Sequence, residues 1–201
     1  MSALPGATGA LVAPDHHDTV ERVSMDHEDR LWGYKLVGEN RYREVIGFCY
    51  DDFRLGDVFE HRPGRTLSES DNLLMAGFSM NPSPLHIDAE YCAHTPWKRP
   101  LMSSLVTFSI VCGMSVRSTS GRALANLGWD KVRLTHPVFA GDTIYAESHI
   151  LAKRLSETRP GAGIITCETR GLLSGGEVFL TYERSFLVPT RGNDTERLAR
   201  Y

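Results

Sequence analysis

The apolar run at positions 101–116, LMSSLVTFSIVCGMSV, decides the fold. Apolar side chains fall on nearly every face of the helix that this run would form, and a helix without a polar face belongs in the interior of a protein. We therefore expect one buried central helix, on which the rest of the chain folds.

The chain after this helix is typical of β-structure. Four segments are strand-like, at positions 129–134, 143–151, 163–173 and 177–188. Residues 174–176, Ser-Gly-Gly, separate the last two segments and predict a hairpin turn. In the last segment Val178, Leu180 and Tyr182 alternate with their neighbours, which is consistent with a strand packed on one or both faces.

The chain before the central helix predicts an extended opening segment at 53–59 and one further helix. Ser68 and Asp71 form the S-x-x-D pattern of a helix start, and apolar residues at helical spacing follow. The helix must end near 81–84, Asn-Pro-Ser-Pro, because proline cannot continue it. This order of elements indicates an α+β architecture, in which a curved antiparallel sheet covers one long helix.

Composition limits the classes of function. The net charge of -3 over 201 residues provides no electrostatic footprint for nucleic acid or an anionic membrane. The four cysteines show no CxxC pairing, which argues against a zinc ribbon or a disulfide framework. The start predicts no secretory signal, and no apolar stretch approaches the ~20 residues needed to cross a bilayer. We expect a cytoplasmic protein that binds neither nucleic acid nor membrane.

We divide the chain into three parts. Positions 1–47 are expected to form an N-terminal extension, partly a disordered arm, because the first fifteen or so residues are small and weakly apolar. Positions 48–190 are expected to form the main domain and 191–201 a C-terminal tail.

His86 is the strongest candidate for a catalytic group. It stands two positions after Pro84, where two nearby prolines leave the backbone few alternatives. A general base needs a fixed position, and histidine has the unperturbed pKa nearest neutrality. The residues alone leave open a histidine that only packs or caps in a surface loop.

Two segments resemble the MaoC-like family, which includes the (R)-specific enoyl-CoA hydratases and has the hotdog fold. PLHID at 84–88 resembles the second half of its hydratase motif, and VRLTHPVFAGDT at 132–143 resembles its strand-turn-strand signature. Arg99-Pro100-Leu101 resembles the family's entry to its central helix. The resemblance implies a hydro-lyase that adds water to, or removes it from, the double bond of an acyl-CoA thioester, without a metal or redox cofactor.

Carried over residue by residue, the resemblance makes His86 the catalytic histidine. Asn81 stands where the family has its catalytic aspartate, and Ser83 where it has an asparagine. An amide cannot accept a proton at neutral pH, although it can hold a water molecule by hydrogen bonds. Either His86 performs all the proton transfer while Asn81 positions water, or another carboxylate substitutes. For Asp88, the nearest, we expect a structural hydrogen bond.

The resemblance also implies where charge is stabilised. The family uses a backbone amide near the start of its central helix for the thioester oxygen, and Ser104 occupies that position here, after Ser103. The pattern N-x-x-P-L-H at 81–86 resembles the mesaconyl-CoA (2-methylfumaryl-CoA) hydratase branch. A substrate carboxylate would call for a guanidinium, and Arg99 and Arg133 are candidates by position.

Other functions stay open at this stage. A hotdog thioesterase would direct water to the thioester carbonyl instead, and fold alone does not separate the two reactions. The loss of the motif aspartate at Asn81 also suits a non-catalytic acyl-CoA-binding partner subunit. Because family members pair their sheets edge to edge, the resemblance implies a homodimer or a larger homo-oligomer.

Overall fold

The computed structural model describes residues 33–192 and 198–199, which hold two sheets and four α-helices. A hairpin of β1 (Tyr34–Gly38) and β2 (Arg41–Glu44) comes first. The main sheet and its helices follow as β3 (Val58–Thr66), α1 (Glu69–Ser79), α2 (Pro84–Ile87), α3 (Ala89–Ala93), α4 (Ser104–Val116), β4 (Ala125–Leu134), β5 (Thr143–Leu155), β6 (Ala162–Leu173) and β7 (Val178–Pro189).

The main sheet is antiparallel throughout, in the spatial order β3-β5-β6-β7-β4. Strands β5, β6 and β7 are joined by successive hairpins, whereas β3 and β4 lie at opposite edges and are separated in the chain by all four helices. The predicted turn at 174–176 joins β6 to β7, and Gly176 adopts φ +90°, a conformation that glycine accepts without strain. The predicted strands are confirmed, with boundaries extended by up to four residues.

Helix α1 begins where the sequence predicts. Ser68 is its N-cap, and the Asp71 carboxylate accepts hydrogen bonds from the Ser68 backbone N–H at 2.9 Å and from its hydroxyl at 3.0 Å. The helix ends at Met80, which is left-handed at φ 50°, just before the predicted proline stop. The hydrogen bonds between Ser68 and Asp71, which depend only on neighbouring residues, therefore set the start of α1.

Helix α4 crosses one face of the sheet, and the core lies between them. Val106 and Val111 of α4 pack with Ile144 of β5 and with Phe179 and Tyr182 of β7, all buried. On β5, residues alternate strictly between buried and partly exposed from Ile144 to Ile150, as expected of a sheet with one covered face.

The predicted central helix is present as α4, but one of its faces is exposed. Its outward face runs through Leu105, Ser109, Gly113 and Val116, and Leu105 is 46% and Val116 37% exposed. The sheet covers only the opposite face, because five strands reach around part of one helix.

The domain boundaries stay predictions. The β1–β2 hairpin lies within the predicted extension, whereas the first fifteen residues lie outside the described residues. The segment between α1 and α4 contains the one-turn helices α2 and α3.

Candidate functional site

A short, tightly bonded turn carries His86. Beyond α1, the Asn81 N–H donates to the Ala76 carbonyl at 3.0 Å, and Pro84 opens α2 at a position where proline fits a helix start. His86 stands in this single helical turn and is half-buried. The two prolines thus place the histidine at a fixed distance from the end of α1.

The hydrogen bonding of the His86 ring fixes its tautomer. Its Nδ1 lies 2.8 Å from the Leu101 carbonyl oxygen. Because a carbonyl can only accept, Nδ1 must carry the hydrogen. In the neutral ring Nε2 then keeps its lone pair, which is the form that a general base needs.

His86 lines a cavity of about 220 Å³ at the N-terminal end of α4. The other lining residues are Leu101, Met102, Ser104, Thr107, Leu134, His136, Pro137 and Val138. Most of this wall is apolar. Ser104 is the first residue of α4, and the backbone N–H groups and dipole of a helix N-terminus favour negative charge there.

The buried side chain of Asn72, in α1, forms hydrogen bonds to three backbone groups at this site. Its Nδ2 donates to the carbonyl oxygens of His86 at 3.1 Å and of Leu101 at 3.0 Å. Its Oδ1 accepts from the Ser103 backbone N–H at 2.8 Å. No local pattern in the sequence marks Asn72, because the residues to which it bonds lie far along the chain.

The structure brings only part of the predicted site together. Of the residues predicted to act in catalysis, His86 and Ser104 line the cavity. Asn81 is absent from this lining, and its Oδ1 accepts the Ser83 backbone N–H at 3.1 Å in the loop before α2. Ser103 is buried as the N-cap of α4.

The two predicted arginines are also absent from this lining. Arg99 stacks its guanidinium over the Phe139 ring at 4.0 Å from the ring centroid. Arg133 lies exposed on the edge strand β4 and donates to the Val132 carbonyl at 2.9 Å. Asp88 caps α3 by accepting from the Tyr91 N–H at 2.9 Å.

His136 is a second histidine on the cavity wall that the sequence analysis did not select. It is exposed, two positions after the end of β4. In the sequence, only its position marks it: His136 lies in the VRLTHPVFAGDT segment, after the predicted strand and immediately before Pro137. After His86, it is the one described lining residue that can carry a positive charge.

A larger cavity, of about 510 Å³, lies at the other end of α4, near Ser118. At its wall the buried His61 ring bonds to the hydroxyls of Ser118 and Ser148, each at 2.8 Å. Burial, and to a lesser extent the charge of Arg62, lowers the pKa of His61 from 6.5 to about 4. This ring is therefore neutral at pH 7 and a weak base.

The arginines that line the larger cavity have partners. Arg62 pairs with Glu60 at 3.1 Å, Arg117 pairs with Glu44, and Arg122 donates to Cys49 Sγ at 3.1 Å. Since the histidine of this cavity is buried and neutral, with both ring nitrogens bonded, size alone does not make it the better candidate. Among residues 33–192 no group of three His, Cys, Asp or Glu side chains could hold a metal ion. Within the same part of the chain, no helix is long and apolar enough to cross a membrane.

Comparison with known proteins gives a consistent result. The family model described as mesaconyl-CoA hydratase matches residues 35–197. The mesaconyl-CoA hydratase of Cereibacter sphaeroides is 34% identical over 72% of this chain and 42% of its own length. This chain thus spans less than half of that relative.

Solved structures agree on the fold. A MaoC-like dehydratase from Rhodospirillum rubrum has a TM-score of 0.64 and 26% identity, covering 72% of this chain and 99% of that one. A Mycobacterium tuberculosis protein with a double hotdog fold has a TM-score of 0.66 and 25% identity, covering 73% of this chain and 46% of that one. The sheet wrapped on α4 is a hotdog fold, as the sequence resemblance implied.

Proposed function

This chain belongs to the mesaconyl-CoA hydratase family, and from that premise we propose that it is a hydro-lyase acting on an acyl-CoA thioester. It adds water to, or removes water from, the bond between the α and β carbons. The observation that carries the proposal is the tautomer of His86: its Nδ1–H is held by the Leu101 carbonyl, on the wall of a cavity shared with the start of α4.

In the proposed reaction, Nε2 of His86 takes a proton from water while the water oxygen bonds to the β carbon. The electron pair of the double bond moves toward the thioester carbonyl, whose oxygen gains negative charge. The backbone N–H at Ser104 and the α4 dipole stabilise that oxygen. The imidazolium then returns the proton to the α carbon on the same face. Proton and charge balance without a second carboxylate.

This mechanism keeps His86 as the group that transfers the protons, but it gives Asn81 a different role from the positioning of water expected from the sequence. Because the Asn81 amide oxygen accepts the Ser83 N–H at 3.1 Å, we assign Asn81 to the shape of the loop that carries His86. His86 performs both proton transfers.

The substrate class we propose is an enoyl thioester that is branched or carries a second carboxylate. The name of the Cereibacter sphaeroides relative supports this choice, since mesaconyl-CoA is such a thioester. We also place the reaction in the cytoplasm, where the four free cysteines would stay reduced.

The test is hydration of crotonyl-CoA and mesaconyl-CoA by the purified full chain, followed by loss of the enoyl-thioester absorbance. Replacing His86 with glutamine should lower kcat by at least about 100-fold, as for removal of a general base. His94→Gln is the matched control, because His94 is exposed on the neighbouring α3 helix boundary and its side chain is 80% exposed; it should react like the wild type.

Three results would contradict the proposal in different ways. Full activity in His86→Gln would remove the histidine from the chemistry. Release of free CoA thiol without hydration would identify a thioesterase. No reaction in the wild type, with a folded protein that binds CoA thioesters, would identify a binding subunit.

A further inference from the structure

Asn72 bonds both to the turn that carries His86 and to the segment that leads into α4, although it is absent from the cavity lining. It lies in α1 with only 3% of its surface exposed. Its hydrogen-bond partners are 14, 29 and 31 positions away along the chain. A buried amide with both ends bonded to distant backbone fixes the mutual placement of those segments.

We propose that Asn72 is a positioning residue that sets the His86 tautomer and ties His86 to the N-terminus of α4, an inference that rests on the proposed hydro-lyase function. The orientation of its amide is dictated by its partners. Two carbonyl oxygens require the NH₂ group, and the Ser103 N–H requires the oxygen.

The donor end of Asn72 acts on the tautomer. The Leu101 carbonyl oxygen has two lone pairs, and it accepts from both Asn72 Nδ2 at 3.0 Å and His86 Nδ1 at 2.8 Å. The first bond fixes the direction of the carbonyl, and so keeps its second lone pair aimed at the ring. Nδ2 also bonds the His86 carbonyl at 3.1 Å, which fixes the backbone from which the ring projects.

The acceptor end acts on the other half of the site. Oδ1 holds the N–H of Ser103, the residue that caps α4 and precedes Ser104. One side chain thus sets the distance between the base and the helix start. Because rates depend steeply on such spacing, its loss should affect the chemical step rather than substrate binding.

The first experiment reads the tautomer directly, by ¹⁵N NMR of histidine-labelled full-length protein, with the His86 signals assigned through His86→Gln. In the wild type we expect hydrogen on Nδ1 and none on Nε2. In Asn72→Ala we expect a mixture that contains the Nε2–H form. This arm needs no substrate, so that it tests the positioning role even if the hydration activity is absent.

The second experiment is kinetic. Asn72→Ala should lower kcat for the reacting thioester roughly 10- to 100-fold with KM changed by less than about threefold. In the His86→Gln background the same change should have a smaller effect, since the part of its action that passes through His86 is already lost. Thr119→Ala is the matched control: Thr119 is also buried and donates to a backbone carbonyl, that of Ser115 at 2.6 Å, but beyond the far end of α4.

Asn72→Asp covers the case in which the alanine variant does not fold. It keeps an oxygen for the Ser103 N–H and loses both donors, and it should show the same tautomer mixture. An unchanged tautomer in a folded Asn72 variant would overturn the proposal. So would a loss of kcat that is equal in the wild-type and His86→Gln backgrounds, or an equal loss in Thr119→Ala.

Discussion

At the scale of single residues, the cavity has two histidines in different surroundings. His86 is half-buried and bonded to the Leu101 carbonyl at 2.8 Å, whereas His136 is exposed at the end of β4. In the proposed reaction the first performs the proton transfers. The second lines the cavity, whereas the predicted arginines, Arg99 and Arg133, do not.

We expect His136 to favour substrates with a second carboxylate. His136→Gln should lower kcat/KM for mesaconyl-CoA by about tenfold, the effect of one charge-assisted hydrogen bond of ~1.4 kcal/mol, and leave crotonyl-CoA unchanged. The measurement is the ratio of the two kcat/KM values. His136→Lys, which keeps a positive charge, should preserve that ratio. Equal losses on both substrates would assign His136 to another role.

At the scale of elements, hydrogen bonds of the His61 ring connect strand β3 to strand β5 and to the residues that follow α4. Its ring bonds to Ser148 of β5 and to Ser118, each at 2.8 Å, and Ser148 bonds on to Thr169 of β6 at 2.8 Å. Since the two serine hydroxyls accept or donate as the tautomer requires, this chain of bonds suits a neutral imidazole. Burial and the neighbouring charge of Arg62, rather than a missing hydrogen-bond partner, disfavour the protonated ring and lower the pKa of His61.

This predicts a pH dependence of stability. The folded pKa of His61 is about 4 and the unfolded value 6.5, so that the unfolded state binds more protons between these pH values. The free energy of unfolding should therefore fall as pH drops from 6.5 to 4, by about 3 kcal/mol from this residue.

The measurement is urea unfolding at several pH values in this window. In His61→Gln the dependence on pH should be shallower by that amount, because glutamine does not titrate. His94→Gln, at an exposed histidine, should leave the dependence unchanged. A wild-type slope equal to that of His61→Gln would contradict the assignment.

At the scale of the whole molecule, apolar side chains are exposed on α4 and on the edge strand β4. Leu105 of α4 is 46% exposed, and on β4 Leu127 is 51% and Leu134 52% exposed. An exposed sheet edge with apolar side chains invites pairing with another strand. We propose that a second copy of the chain pairs along β4. Because Leu134 also lines the candidate cavity, that copy would cover its open side.

The predicted homodimer can be tested by measuring the mass of the protein in solution. Light scattering after size exclusion should give twice the mass of one chain. Leu105→Glu and Leu127→Lys, which place charges on this surface, should each weaken the dimer by at least about tenfold, the effect of ~1.4 kcal/mol. Leu155→Glu, at an equally exposed leucine on β5, is the control. A monomeric wild type with full hydration activity would contradict the role of the second copy.

The sequence by itself determined the local features of this protein. The Ser68–Asp71 cap, the stop at Asn81 and Pro82, and the turn at 174–176 depend on residues within a few positions of one another, and each is where it was predicted. The His86 turn is of the same kind, since its prolines restrict the backbone beside it.

Only the tertiary structure decided which side chains meet. Asn72 acts on Leu101 and Ser103 across 29 and 31 positions, and no periodicity or short pattern encodes such a bond. The same reason explains why Asn81 lies away from the cavity and His136 on it. The apolar composition of α4 predicted burial, but which of its faces is covered depends on how far five strands curve around it. That is a property of the sheet and not of the helix sequence.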